Sequence, residues 1–151
     1  LCWAANGFSQ EVPSDFAVDI GAIQILGPGS FQNNRTCISG HVCAWSGFKG
    51  FGLEDADRIM ILDECSTFKG ANLGYDHPEN VVPRFPWEGR SLPAFNTSLA
   101  DGSSYSWGGE DLGAYITAQG GAYRICWASR EFGELSTGYF RIDAGTFSLV
   151  G

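Results

Sequence analysis

The chain contains one segment twice, and this repetition limits its possible folds more than any other feature. Residues 1–27 align with residues 125–151 without a gap, so that Cys2 falls on Cys126. Eight aligned positions are identical, and most other apolar positions exchange one apolar residue for another. The identical pairs are Cys2/Cys126, Trp3/Trp127, Ala4/Ala128, Phe8/Phe132, Phe16/Phe140, Asp19/Asp143, Gly21/Gly145 and Gly27/Gly151. The chain is therefore predicted to hold slightly more than one period of a tandem repeat of about 124 residues.

The residue pattern between the two copies is that of β-strands. Residues 58–63 and residues 122–127 form short apolar runs that are typical of buried strands, and helical periodicity is nearly absent. The 21 glycines indicate many tight turns. Short strands separated by glycine-rich turns predict an all-β fold of the β-sandwich type.

The apolar phase of one strand changes at a glycine in both copies. Apolar residues occupy even-numbered positions before Gly21, whereas Ile23 and Ile25 carry the apolar character after it, and the second copy changes phase at Gly145. A shift of one residue turns the buried face of a strand to the opposite side, and glycine permits the bulge or sharp bend that such a change needs. We predict that the last strand of one sandwich runs here almost directly into the first strand of the next, which would produce a stiff rod.

This phase change divides the chain into three predicted parts. Residues 1–20 are assigned to the closing strands of a preceding repeat, residues 21–144 to one complete β-sandwich, and residues 145–151 to the first strand of a following repeat. The opening letters LCWA have the pattern of the middle of a strand, so the sequence is expected to be part of a longer protein.

The chain has five cysteines, but Cys2 and Cys126 are the same position in successive repeats, so each repeat period holds four. The set of Cys37, Cys43, Cys65 and Cys126 suits two disulfides and an oxidising compartment. Three pairings are possible; we favour Cys37 with Cys43 across a short turn, which leaves Cys65 for Cys126. Cys2 would then pair with the Cys65 equivalent of a preceding repeat. The alternative of a zinc site is disfavoured because the cysteines form no CxxC pair.

Three segments carry a resemblance to known repeats: GGAYRICW at residues 120–127, RTCISG at residues 35–40 and DRIMILDEC at residues 57–65. They resemble tandem immunoglobulin-like repeats of extracellular proteins, and they are similar to YRLCWC-type repeat segments of algae and other protists. The resemblance implies immunoglobulin-like β-sandwiches in tandem, with no established activity attached to them. The chain departs from the CWC pattern at Ala128, so an additional disulfide of such relatives is not expected here.

Charge and motif content argue against several classes of function. The net charge of −8 disfavours nucleic acid and anionic lipid as partners, and no apolar run approaches the length of a membrane span, so direct membrane insertion of this segment is not expected. His41 and His77 are the only histidines. Ser39 lies near His41, but the sequence has no nucleophile motif and no phosphate-binding glycine loop, so we predict neither an enzyme nor a cofactor.

Two asparagines begin glycosylation sequons, Asn34 in NRT and Asn96 in NTS, and at least one of them is predicted to carry an N-glycan. The alternative is that both are ordinary polar loop residues. The acidic segment of residues 53–57, LEDAD, and Asp19 could supply oxygen ligands for Ca²⁺. No calcium-loop motif is present, however, and a solvated acidic loop is the alternative. Sequons together with disulfides predict a secreted protein that is extracellular or held at the cell surface.

An irregular region after the central strand is rich in aromatic residues, which predicts a surface for assembly or for a ligand. The four aromatic residues of this predicted surface are Phe85, Trp87, Tyr105 and Trp107. In a rod of repeats they would dock on neighbouring copies of the same protein; sugar binding and packing within the domain are the alternatives. We therefore predict a structural repeat of a secreted stalk, surface fibre or filament, assembled by end-to-end domains and lateral contacts. The alternative is an adhesive or carbohydrate-binding extracellular module.

Overall fold

The computed structural model describes residues 1–4, 12–29, 32–66, 78–93, 102–109, 114–131 and 136–151. In these residues the chain forms strands and short 3-10 turns and no α-helix, which confirms the all-β prediction. The strands are β1 (Cys2–Trp3), β2 (Val18–Asp19), β3 (Gly27–Pro28), β4 (Arg35–Ile38), β5 (Cys43–Trp45), β6 (Gly50–Phe51), β7 (Arg58–Leu62), β8 (Leu92–Pro93), β9 (Tyr105–Trp107), β10 (Gly121–Ala128) and β11 (Ile142–Val150). The 3-10 turns span Pro13–Asp15, Pro78–Asn80, Pro86–Gly89 and Thr137–Tyr139.

The largest sheet has four strands in the order β4-β11-β10-β7. β10 and β11 form a long antiparallel hairpin, β7 pairs antiparallel with the other edge of β10, and β4 pairs in parallel with the last residues of β11. β7 is buried on both faces, since Ile59 and Ile61 enter the larger core cluster whereas Met60 and Leu62 enter a smaller one. A strand covered on both faces needs an unbroken apolar run, which is the pattern of residues 59–62.

A second sheet, in the order β5-β9-β8, covers the larger core from the other side, and a two-stranded sheet joins β3 to β6. The larger core receives Cys43 and Trp107 from the three-stranded sheet and Ile125 and Phe147 from the four-stranded sheet. Both sheets therefore bury one face against a common apolar layer, and this burial is the main source of stability in such a fold.

The phase change at Gly145 is a bulge inside one continuous strand. Ile125 lies opposite Gly145, but the next residue, Cys126, lies opposite Asp143, so Ala144 is the extra residue. After the bulge, β11 continues to pair with β10 and with β4 of the same sheet. The predicted boundary that assigned residues 145–151 to a following repeat is therefore wrong at this position, because these residues complete the sheet to which the preceding residues belong.

Two disulfides link the strands, in the pairing that the sequence favours. Cys37 and Cys43 join β4 to β5 across a short turn, with their Cα atoms 5.8 Å apart. Cys65, which follows β7, is bonded to Cys126 in the middle of β10, with Cα atoms 5.4 Å apart. Cys2 has a free and exposed thiol. Two disulfides suggest folding in an oxidising environment.

Candidate assembly surface

The described residues 1–4 and 12–26, called here the N-terminal hairpin, repeat the local structure of the β10–β11 hairpin. β1 and β2 pair antiparallel, with Cys2 opposite Asp19. In the second copy, Cys126 lies opposite Asp143, which is the same register. The first and the last of the 3-10 turns also occupy equivalent positions between their strands. The shared sequence thus encodes the same strand pairing at both ends of the chain.

A side-chain hydrogen bond that shapes the glycine bend is also present twice. The backbone N–H of Gly21 donates to Oδ1 of Asp19 over 2.9 Å. The backbone N–H of Gly145 donates to Oδ1 of Asp143 over 3.1 Å. Aspartate favours such local bonds to the backbone two residues ahead. The conformation of the bend is therefore set locally and does not require the sheet that surrounds it in the second copy.

The N-terminal hairpin differs from its counterpart in what covers its side chains. Trp3 is 51% exposed and Ile25 is 83% exposed, whereas their counterparts Trp127 and Leu149 are 7% and 4% exposed. The exposed large apolar side chains of the hairpin are Leu1, Trp3, Val12, Val18, Ile20, Ile23, Ile25 and Leu26. Such a concentration exceeds the scattered single apolar residues of an ordinary surface, and exposed apolar patches of this kind are common where proteins bind partners.

The hairpin passes into the main fold without an intervening linker. Leu26 is followed directly by Gly27, the first residue of β3, which pairs with β6. A Cβ atom on Gly27 would lie 3.5 Å from the ring of Trp127, so this residue already packs on the four-stranded sheet. The junction therefore falls between Leu26 and Gly27, six residues later than the predicted boundary after residue 20, because the bend at Gly21 lies inside the hairpin.

Three of the four aromatic residues predicted to form an exposed surface lie in the core. Phe85, Tyr105 and Trp107 are buried, and only Trp87 is half-buried. Tyr105 and Trp107 are two residues apart on β9, so both point to the face that packs on the four-stranded sheet. The prediction of an assembly or ligand surface at these three residues is therefore wrong, and the packing alternative accounts for them.

The turn that contains Trp87 is shaped by contacts with this core. Trp87 and Glu88 have left-handed backbone conformations, with φ of 49° and 58°. The carbonyl of the next residue, Gly89, accepts a hydrogen bond of 2.7 Å from Nε1 of Trp107. The core indole thus holds a turn whose backbone conformation is unfavourable for residues other than glycine.

The asparagine of the first sequon lies on the surface. Asn34 is exposed, and its Oδ1 accepts a hydrogen bond of 2.9 Å from the backbone N–H of Thr146. Its neighbour Asn33 is fully buried and bonds to the backbone of Lys49 through both Oδ1 and Nδ2. The two adjacent asparagines therefore have different environments, and only Asn34 is accessible. Asn96 lies outside the described residues.

Arg35, the middle residue of that sequon, lies against an aromatic ring. Its guanidinium carbon is 5.0 Å from the ring centroid of Trp45. The guanidinium donates to the carbonyls of Asn34, Ser46 and Gly47. Burial lowers the pKa of Arg35 from its usual value. These contacts fix the position of the sequon relative to β5.

The acidic residues considered for Ca²⁺ make bonds to the backbone and to an arginine. Asp57 is buried and accepts from the backbone N–H groups of Glu54 and Arg130, over 3.0 Å and 3.2 Å. Asp55 accepts from Gly102, and Glu54 forms an ion pair with Arg130. In the part of the chain that the structure describes, no group of three or more histidine, cysteine or acidic side chains could hold a metal ion. These acidic residues thus form a turn that is closed by hydrogen bonds.

Ser39 and His41 lie in the turn that leads to β5. The hydroxyl of Ser39 donates to the carbonyl of Ala118 over 2.9 Å, and the backbone N–H of His41 donates to the carbonyl of Ile38. His41 is exposed. The hydroxyl of Ser39 therefore has a structural role, because it bonds to the backbone. His77 lies outside the described residues.

A polar cleft of about 600 Å³ lies beside the ends of β7 and β10. Its lining includes Asp63, Arg84, Gln119 and Tyr123. The hydroxyl of Tyr123 donates to the carbonyl of Gln119 over 2.6 Å, and burial together with the charge of Asp63 raises the pKa of Tyr123 above its usual value. The cleft therefore presents a cation, a carboxylate and a protonated phenol, groups that can orient a small polar ligand.

Over the described ranges, none of the helical segments has the length and apolar character that crossing a bilayer requires. Comparison of the chain with protein-family models, with curated proteins and with solved structures finds no match.

Proposed function

We propose that the chain is a structural repeat of a secreted stalk, surface fibre or filament. The observation that carries this proposal is the direct passage from the N-terminal hairpin into β3 at Leu26 and Gly27. The N-terminal hairpin has the same strand pairing as the β10–β11 hairpin, which closes the four-stranded sheet. The residue that follows it, Gly27, already belongs to β3 of the sandwich. Units joined without a linker transmit bending and torsion from one to the next, which is the mechanical property of a rod.

The proposal includes an immunoglobulin-like β-sandwich as the repeating unit. In that fold one sheet contains strands C, F and G and the other contains strands B, E and D. The order β7-β10-β11 corresponds to C, F and G, and the order β5-β9-β8 corresponds to B, E and D. The chain order of the strands agrees with this assignment, which supports the immunoglobulin-like interpretation. The repeat unit would run from Gly27 to Val150, which is one period of the sequence repeat.

The proposed rod predicts a spacing that can be measured. β11 is 9 residues long, and strands rise by about 3.3 Å per residue, so one domain should advance the rod by roughly 35–45 Å once its turns are included. Electron microscopy of the native material is expected to show rods or filaments with this axial repeat. Isolated, freely tumbling particles with no end-to-end contacts would contradict the proposed function.

Secretion and glycosylation are part of the proposal and have a separate test. When the chain passes through a eukaryotic secretory pathway, Asn34 is expected to carry an N-glycan, because it is an exposed sequon asparagine. Enzymatic deglycosylation should then convert Asn34 to aspartate, with the corresponding mass change in its peptide. The substitution Thr36→Ala, which destroys the sequon and leaves Asn34 in place, is the matched control. An unmodified Asn34 in secreted protein would count against this assignment.

A second candidate function is an adhesive or carbohydrate-binding module, and the polar cleft that includes Asp63, Arg84 and Tyr123 favours it. Its volume lies in the range of small-molecule sites. Titration with oligosaccharides should shift the NMR signals of Tyr123 if the cleft is used, and Arg84→Ala should abolish the shift. No response to a broad sugar panel would leave the structural function as the better proposal.

A further inference from the structure

Five of the eight exposed apolar side chains of the N-terminal hairpin lie at positions that are buried in the β10–β11 hairpin. Ile23 is 66% exposed, whereas its counterpart Phe147 is fully buried. Leu1 and Ile20 are likewise exposed, and their counterparts Ile125 and Ala144 are fully buried. The side chains are of the same kind in both copies, so the difference lies in what covers them.

Positions that face solvent in the second copy provide an internal control. Val18 is 50% exposed and its counterpart Ile142 is 47% exposed. Leu26 and its counterpart Val150 also have nearly equal exposure, 56% and 57%. The N-terminal hairpin therefore has an outer face that is already as exposed as it is in a finished sheet. Its other face has the composition of a core and lacks a cover.

The surroundings of the β10–β11 hairpin show what the N-terminal hairpin lacks. β7 lies along β10, with Met60 opposite Cys126 and Ile59 opposite Trp127. β4 lies in parallel along the end of β11, with Cys37 opposite Leu149. The disulfide from Cys65 to Cys126 then links the chain after β7 to β10. The surroundings that the N-terminal hairpin lacks are thus strands of the β7 and β4 type along its edges, a facing sheet of the β5-β9-β8 type over its apolar face, and a cysteine at the position of Cys65.

We infer that the N-terminal hairpin closes a second β-sandwich of this same fold, one that lacks its own closing strands, and that Cys2 forms a disulfide with the cysteine of that sandwich equivalent to Cys65. This inference rests on the proposed function, since it specifies how successive units are joined. By the register of the second copy, Trp3 would lie opposite an Ile59 equivalent and Ile25 opposite a Cys37 equivalent. The occupant is a sandwich without closing strands because an intact copy already holds β10 and β11 in that position.

The proposed disulfide forms by oxidation of two thiols. The Cys2 thiol and the thiol of the Cys65 equivalent lose two protons and two electrons as one S–S bond forms. A disulfide oxidant such as oxidised glutathione accepts the electrons, its own S–S bond breaks, and two thiols are released. The oxidising environment that suits the two disulfides already present supplies such an oxidant.

The test uses the full chain and an extended chain in which a copy of residues 27–124 is placed directly before Leu1. Leu1 then follows the copied Arg124 as Ile125 follows Arg124 in the chain itself. In the original chain, the exposed Cys2 thiol should react with iodoacetamide under native conditions. In the extended chain this alkylation should be lost, and peptide mapping without reduction should find Cys2 bonded to the copied Cys65.

A matched pair of substitutions separates docking of the hairpin from disulfide formation by chance. In the extended chain, Ile23→Asp places a charge on the face that should be covered and is expected to restore alkylation of Cys2. Val18→Asp places the same charge on the outer face and is expected to leave Cys2 protected. In the original chain both side chains are exposed, so neither substitution should change the unfolding midpoint appreciably.

The inference would be overturned by a reactive Cys2 in the extended chain, by equal effects of the two substitutions there, or by dimers linked through two Cys2 residues. Failure of the first sandwich to fold would also overturn it, because the copied residues and the hairpin together make one full period. A protected Cys2 combined with native material that forms no rods would sustain the inference and remove the proposed fibre.

Discussion

Replacing Trp107 by alanine is expected to lower the free energy of unfolding by about 4 kcal/mol, the size of effect that follows removal of a fully buried aromatic side chain. Trp107 has no exposed surface, and its ring centroid lies 5.3 Å from that of Trp45 and 6.0 Å from that of Phe147. It therefore contacts both sheets. The substitution would leave a cavity between them and remove the hydrogen bond to the carbonyl of Gly89.

Two further variants show which part of this loss belongs to the hydrogen bond and which to burial. Trp107→Phe keeps most of the ring volume but leaves the Gly89 carbonyl without its donor, so a smaller loss of about 1–3 kcal/mol is expected. Trp3→Ala removes a half-exposed tryptophan of the N-terminal hairpin and should cost no more than about 1 kcal/mol. Urea unfolding followed by circular dichroism measures all three. Equal losses for Trp107→Ala and Trp3→Ala would contradict the placement of Trp107 in the core.

Removal of the disulfide between Cys65 and Cys126, by substituting both with alanine, is expected to destabilise the fold by about 4 kcal/mol. The two cysteines are 61 residues apart in sequence, so the bond closes a long loop and removes many conformations from the unfolded chain. Cys126 is also fully buried between strands of the four-stranded sheet. A Cys2→Ser background prevents thiol exchange with the exposed Cys2 during the measurement.

The other disulfide is the matched control for this effect. Cys37 and Cys43 are separated by 6 residues, and a loop this short predicts a smaller loss of about 2 kcal/mol when both are replaced by alanine. The reference protein is Cys2→Ser with both disulfides intact. Urea midpoints and slopes should rank the variants in this order. The loop-closure account is wrong for this protein if removing the short loop costs as much as removing the long one.

The sequence alone predicts those features that depend on residue patterns along one strand or on short separations. The unbroken apolar run of residues 59–62 predicts a buried strand, and β7 is buried on both faces over these residues. The repeat leaves four cysteines in one period, and the short separation between Cys37 and Cys43 favours the pairing that the structure has. Local bonds such as that from Gly21 to Asp19 recur because the same residues recur.

The meaning of the phase change at Gly145 could be found only in the tertiary structure. A one-residue shift of the apolar pattern is compatible with a domain boundary and with a bulge, because both turn the strand over. The pairing register with β10 shows that it is a bulge, because Ile125 lies opposite Gly145 whereas the next residue, Cys126, lies opposite Asp143. That register belongs to a second strand, and the pattern of the first strand contains no information about it.

Burial was decided by tertiary contacts as well. Tyr105 and Trp107 alternate along β9 as they would on an exposed strand, and only the opposite sheet places them in the core. The N-terminal hairpin and the β10–β11 hairpin share one residue pattern but differ in burial: Trp3 is exposed, whereas its counterpart Trp127 is buried. The sequence of a strand determines which side chains share a face, through the two-residue period of the backbone. Whether that face is covered depends on residues far away in the sequence, and such contacts exist only in the folded chain.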